Sequence, residues 1–581
     1  MKTINKILTV AVGAVTMLAS CDMNDKYYSD ATPDTFIMSE ANVTALVGRT
    51  FAQWSYYFLW THWQYQESCT DEFTTPVRLR SGIDTWYDSG KWIRINDHNW
   101  IPDEGWIEDL YLNTMNVMSR CLQVRDDLKK VSPEQCGLTR AELDDYINQM
   151  SGFEAYMYLQ AFDMWGGLPL YDSTKDPLKP RATAKETYKF IEDHLLESLK
   201  YLKPKETIGK TEEGYFSQGA AAMALGQLYL NAEAYIGEDH YAEAEKVFQD
   251  IIDGKYGVYD LDKTWNGPFG WEGANSPETM LYCPSLNGTG CECDWHFRRF
   301  YPRNALYIIG YNDLLYWCIN GHCLTPSRRQ DGELYSVTNP EIKLGSPYES
   351  YDDGDHRKKC YSYQGEGKYD GMFMVGEIEG MKPYDGYWKG GKVKGHKNCI
   401  LLDQIYDHEQ CWKDKGNPMD YPSDMQHSNE CSGVRLVKVP FPQEEALTWN
   451  VGLNIIRLAE AYYSLAECKF HRGDKAGAAE LINKVRARNF DGADPNPVTA
   501  RNLDKYRLAK EWMIEFIGEG RRRTDLIRWG MFTTEKWWSH EPSNESFRNR
   551  FPLPDSALGG TPLLKQNPGY GSENVLAPDE I

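Results

Sequence analysis

The sequence predicts a mainly α fold, a helical scaffold overlaid by long loops and a few short strands. Three observations predict it. Apolar residues recur at helical spacing from about Thr35 to Asp253 and again from Asn454. The stretch between, about Tyr256 to Glu445, is rich in Gly, Pro, Trp, Tyr and Cys and has few helical periods. Two segments also share the spacing of a tetratricopeptide helix pair.

Taken in order, the chain opens with Lys2 and Lys6, then an apolar run from Ile7 to Ala19. This pattern is that of a secretory signal over residues 1–20. The run is shorter than the roughly 20 residues a spanning helix needs. Leu18-Ala19-Ser20-Cys21 looks like a bacterial lipobox, by which Cys21 becomes an acylated N-terminus. Residues 21–255 form the first helical region. In it, Asp109–Leu128, Ala141–Met164, Thr183–Tyr201 and Phe216–Ile236 carry amphipathic stripes. Residues 256–445 are the loop-rich middle, and 446–581 a second helical region with a Pro/Gly-punctuated tail. We expect 21–581 to form one compact body.

The tetratricopeptide spacing falls on Leu225-Gly226, Tyr229, Tyr241, Ala244, Phe248 and Ile251, and on Leu465-Ala466, Gly473, Ala478, Ile482 and Val485. Small residues at Gly226 and Ala466 would let paired helices approach closely. A further helical stretch, Leu503–Arg528, should turn near Gly518–Gly520.

Composition narrows the function. Formal charge is -22, and no Lys/Arg stripe interrupts it, which argues against nucleic acid as a partner. There are 19 Trp, 38 Tyr and 20 Phe in a chain whose mean hydropathy is -0.61. Core packing must account for most of these rings, but Tyr and Trp also suit surfaces that hold a ligand. Fourteen Cys are present, so acylation of Cys21 leaves an odd number. Export permits disulfides, with a pairing that spacing does not define.

The helical segments together resemble the SusD/RagB family of Bacteroidetes outer-membrane lipoproteins. Arg457, Glu460, Ala466 and Glu467 sit as in the family's Arg/Glu/Ala-Glu helix. Ile482-Asn483-Lys484-Val485-Arg486-Ala487-Arg488 is similar to its Ile-Asn-x-Val-Arg-x-Arg turn. Glu519-Gly520-Arg521, Asp525-Leu526 and Arg528-Trp529-Gly530 are similar to its next block, and Gln566-Asn567-Pro568-Gly569-Tyr570 to its ending. Asp355-His356-Arg357 and Gly166-Gly167-Leu168-Pro169 add weaker matches. Asn489 departs from the usual Ala-Gly pair, and the Cys-rich middle is unusual.

The resemblance implies about four tetratricopeptide-like helix pairs, with loops and a few short strands forming a ligand face. It implies a cell-surface, lipid-anchored protein that captures oligosaccharides and delivers them to a SusC-like TonB-dependent transporter without catalysis. A peptide-capturing RagB-like uptake protein and a secreted helical glycan-active enzyme are the alternatives. The acids and arginines of the motifs, Glu460, Glu467, Arg486, Arg488, Glu519, Arg521 and Asp525, read as charge-assisted pairs that lock helices together.

The ligand is expected on the loop 71–106, where indoles can stack on a sugar's C–H face and polar groups bond its hydroxyls. Trp86, Trp92 and Trp100 are the stacking candidates. Asp71, Arg78, Arg80 and Asn96 are the hydroxyl partners. Trp271, Trp295 and Trp317 from the middle region extend the arc.

Other signals carry less. Cys283, Cys291, Cys293, His296, Cys318, His322 and Cys323 lack zinc-knuckle spacing, so disulfide or structural use is expected. Gly386–Lys392 matches a phosphate loop only by chance, since Val393 stands where Ser or Thr would hold magnesium. Gly-x-Ser-x-Gly and His-Glu-x-x-His motifs are absent from the sequence. No cofactor is expected. Structural calcium at Asp352–Asp355 remains open, although the run lacks the spacing of a calcium loop.

Overall fold

The computed structural model describes residues 36–37, 39–80, 83–206, 215–285, 299–301, 321–365, 368–388, 391–407, 423–429, 432–440 and 451–577. At 79–80, 83–86, 380–388 and 391–399 it describes the backbone alone. The signal segment 1–20, Cys21, Trp295 and Trp317 lie outside the described residues.

Eight helices make the scaffold. They are α1 (Glu40–Tyr57), α2 (Gly105–Leu128), α3 (Arg140–Trp165), α4 (Ala184–Ser198), α5 (Gln218–Leu230), α6 (Tyr241–Ile252), α7 (Leu458–His471) and α8 (Lys475–Arg486). Each packs on the next in this order, giving four consecutive pairs. Two more helices, α9 (Lys505–Phe516) and α10 (Arg522–Arg528), close the C-terminal end.

Local sequence explains where the helices start. Thr139 and Thr183 accept the N–H of Glu142 and Glu186, and each glutamate reaches back to its cap. Such capping boxes satisfy two orphan donors apiece. Ser39, Ser217, Asp474 and Asp504 cap α1, α5, α8 and α9 in the simpler way. Removing a cap of this kind costs about 1 kcal/mol. The turn between α9 and α10 falls at Gly518 and Gly520, with φ of +74° and +81°. Only glycine adopts that backbone without strain.

Both tetratricopeptide-like segments are helix pairs, α5/α6 and α7/α8. At Gly226 an added Cβ would lie 2.5 Å from the Phe248 ring, so the close approach of α5 and α6 depends on the missing side chain. Ala466 is fully buried between its neighbours in the same way.

The middle region differs from the expected short strands in one place. Gly376–Trp388 pairs antiparallel with Gly391–Leu401 in a long hairpin. The phosphate-loop lookalike is its tip, with Gly391 opposite Trp388. The helix expected from Asn454 begins only at Leu458. Leu453–Arg457 is a strand paired antiparallel with Thr279–Cys283. Adjacent β-branched Ile455 and Ile456 favour that choice. No helix among the described residues is long and apolar enough to cross a membrane.

Buried charges join the elements, as the motif residues suggested. Arg528 forks onto Glu467 at 2.6 and 3.0 Å and reaches Asp525 at 2.9 Å. Arg521 joins Glu460 and Asp525 at 2.6 and 3.0 Å. Arg486 holds Glu511 and Asp494. Glu515 gathers Arg357, Arg457 and Arg488 at 2.8, 2.8 and 2.7 Å. Burial alone would raise the Glu515 pKa. The guanidiniums of Arg488, Arg457 and Arg357 outweigh it and hold the carboxyl well below its ordinary value. The acidic run Asp352–Asp355 serves the same network. Asp352 takes Arg486, Asp353 takes Lys358, and Asp355 takes Arg357.

Candidate functional site

The loop expected to face a ligand folds inward for most of its length. Asp71 is fully buried and forks onto Arg522 at 2.7 and 2.8 Å. Arg78 is buried too, donating to the Asn429 and Ser432 carbonyls and to Cys323 Sγ. Trp92 packs beside Trp106 and His322. Asn96 donates to Asp97 and the Ser539 carbonyl. Trp100 packs against Tyr65 and Phe551 and donates to the Arg548 carbonyl. These five, expected to meet ligand, are buried and turned toward groups within the fold. Asp71, Arg78, Asn96 and Trp100 each bond a group distant in sequence, and burial without such partners would have cost too much.

Arg80 and Trp86 are described only as backbone. Arg80 pairs with Ile83, and Trp86 with Arg78, across adjacent strands. Trp271 is half-buried, its ring 6.1 Å from that of Tyr363, which is 43% exposed. Of the cysteine group, Cys323 is a buried thiol on the Arg78 guanidinium rather than a disulfide half. His322 Nδ1 meets Thr75 Oγ1 at 2.6 Å. Among the described residues no three His, Cys, Asp or Glu side chains are grouped to hold a metal.

What the same region does present is a ledge of other aromatics. At its C-terminal end α1 passes into a π-helical turn, Phe58–His62. Such a turn adds one residue and rotates the following side chains by about 100°. Trp63 is thereby fully buried, its indole N–H donating to the Gly518 carbonyl at 2.8 Å. Trp60 is left half-buried and stacks on half-buried Trp106, with centroids 5.5 Å apart and planes 27° apart. Lys91 Nζ sits 3.3 Å from the Trp106 ring centre and 2.7 Å from Asp88. Burial lowers the Lys91 pKa to about 8, although Asp88 opposes the shift.

Polar groups rim this ledge. Tyr87, more than half exposed, places its hydroxyl over Gly90, beside Arg94. Arg94 holds Glu104 and the Ser89 carbonyl. Asp88, Ser89 and Gly90 all have positive φ, 50°, 55° and 75°. Consecutive left-handed residues, two of them not glycine, are strained, and strain of this kind gathers at binding sites. Beneath Trp60 lies Arg299, buried, its guanidinium carbon 5.5 Å from both the Trp60 and Trp63 rings. Burial lowers its pKa to about 9. It donates to the Leu59 carbonyl, while Nε and Nη1 meet no acceptor among the described residues.

Sequence reading passed over Trp60, Tyr87 and Lys91. One signal was available. Trp54 and Trp60 are six residues apart, so one α-helix cannot bury both on one face. The π-turn that settles which ring stays outside has no comparable signature.

A family model described as the SusD family matches residues 310–570. The match covers a little under half of the chain. The starch-binding protein SusD of Bacteroides thetaiotaomicron is 36% identical over 136 residues, which are 22% of this chain and 23% of that protein. The alignment thus spans under a quarter of this curated relative's length. The fold extends much further. A SusD-like protein from Bacteroides fragilis superposes with a TM-score of 0.61 at 17% identity, over 92% of this chain and 98% of that one. Surface glycan-binding protein A from Bacteroides thetaiotaomicron gives 0.61 at 17%, over 92% and 100%. The helical scaffold is that of SusD-like proteins.

Proposed function

We propose that this chain is a SusD-family cell-surface binding protein, anchored through acylated Cys21. It captures oligosaccharide on the Trp60–Trp106 ledge and passes it, uncleaved, to a SusC-like TonB-dependent transporter. The observation that carries the reading is the pair of half-buried, stacked indoles rimmed by Tyr87, Arg94 and Asp88. A pyranose offers C–H groups to the aromatic surface and hydroxyls to the charged rim. The names of two similar proteins, a starch-binding protein and a surface glycan-binding protein, support the choice of ligand class.

The test is affinity electrophoresis of the signal-free protein in gels carrying a panel of polysaccharides. At least one glycan should retard it. Trp60→Ala and Trp106→Ala should each weaken that retention about tenfold or more, equal to about 1.4 kcal/mol. Chromatography of the recovered glycan should show unchanged chain length. Absence of retention by every glycan, or shortening of the glycan, overturns the proposal.

A further inference from the structure

A cavity of about 300 Å³, apart from the ledge, lies between the segment 334–350 and the C-terminal helices. Tyr506, Lys510 and Met513 of α9 line it at helical spacing, with Arg522 of α10 and Lys343 opposite. Its size is at the lower end for small-molecule sites.

Its charges do not cancel. Asp71 is consumed by Arg522 and by the Gly345 N–H at 2.9 Å. Glu349 is consumed by Arg328 at 2.9 Å and Lys358 at 3.5 Å. That leaves Lys343 and Lys510, neither of which has a carboxylate within ion-pair distance among the described residues. Lys343 Nζ rests 4.9 Å from the centre of the Tyr506 ring, whose hydroxyl donates to Glu535. Lys510 is half-buried. Burial, then Arg507 beside it, lowers its pKa, while Glu511 and Asp352 pull the other way. Glu511 is itself held by Arg486 and Arg507, and Asp352 by Arg486 and Asn496. Lys343 is exposed and Lys510 only half-buried, and no carboxylate pairs with either among the described residues, although the chain carries a net charge of -22. Each would gain from an anion placed there.

We infer that this cavity binds a small acidic molecule of about monosaccharide size, with Lys343 and Lys510 on its oxyanion and Tyr506 against its body. A uronate carboxylate and a sulfate group present the same chemistry. The inference does not rest on the aromatic ledge, which shares no lining residue with this cavity.

The test is calorimetric titration of the full mature chain with glucuronate, inorganic sulfate and neutral glucose at matched ionic strength. Saturable glucuronate binding at millimolar concentration or tighter is expected, with no glucose binding. Lys510→Gln and Lys343→Gln should each weaken it about fivefold or more, and Lys510→Arg, which keeps the charge, should retain it. Lys343 touches α9 only through the Tyr506 ring and Lys510 forms no ion pair among the described residues, so these variants should melt close to the parent. Competition by sulfate identifies the oxyanion as the recognised part. Lack of competition assigns recognition to the carboxylate and sugar body together. The inference is overturned if neither anion saturates, if glucose binds equally, if the double Gln variant binds as the parent does, or if Trp60→Ala abolishes glucuronate binding.

Discussion

Arg528 shows what a single side chain does here. It is almost wholly removed from water, and its five donors are shared among Glu467, Asp525 and Asn231. Burial alone would raise the Glu467 pKa. Arg528 and His471 together hold it near 2. Arg528→Met would leave that carboxylate buried with only His471 and the Trp529 N–H. We expect a loss of about 3–5 kcal/mol, read as a lower urea midpoint. Three buried histidines carry an acid-sensitive share of the stability. Burial holds His62 and His540 near pKa 4, and His98 well below its ordinary 6.5. In the unfolded chain they take protons near 6.5, so between 6.5 and 4 the unfolded state binds more protons. The share of stability that these histidines carry should therefore fall as pH drops through that window, while Glu67, Asp403 and Glu154, whose carboxyls burial raises to about 7, 7 and 8, act in the opposite sense. His540→Gln, which can still donate to the Asn96 carbonyl, should flatten the slope of urea midpoint against pH. An unchanged slope would refute the assignment for that histidine.

Helices were far more legible than the surfaces they carry. Their caps are adjacent in sequence to what they cap, as with Thr139 and Glu142, and their stripes follow one period. The paired motif charges were legible as a class, yet their partners were not. Glu515 meets arginines 158, 58 and 27 residues away. The same distance effect concealed the fate of the 71–106 loop. Asp71 and Arg78 look like surface groups until Arg522, Asn429 and Cys323 are brought to them. The ledge depends on a π-turn, which leaves no period to read. At element scale the sharpest test is Gly226. Gly226→Val would drive side-chain atoms into Phe248, and overpacking of this kind costs about 1–3 kcal/mol. Gly237→Ala, where nothing lies near the added carbon, should cost mainly its left-handed backbone, about 1 kcal/mol. Comparing the two urea midpoints separates crowding from backbone strain.

Across the whole molecule the aromatic surplus is mostly structural. Trp54, Trp63, Trp165, Trp512 and Trp537 are each under 2% exposed. The continuous apolar core runs from Ile37 to Tyr570, so the first helices and the last loops share it. The junction is polar as well. Glu67 accepts the backbone N–H of Gly520 and Arg521, Asp71 takes Arg522, and Asp163 takes Arg523. Gln66 accepts from Thr524, and Arg181 reaches the Lys565 carbonyl and Asn567. A chain ending at residue 516 should give no cooperative melting transition, whereas one ending at 571 should melt close to the parent.

Those clasps give the molecule a built-in completeness check. Asp71 and Asp163, laid down early in synthesis, stay without their arginines until Arg522 and Arg523 have emerged, and Glu67 waits as long for the N–H groups of Gly520 and Arg521. A ribosome that stalls before Arg522 releases something that cannot desolvate its own carboxylates, and quality-control proteases should find it open from end to end.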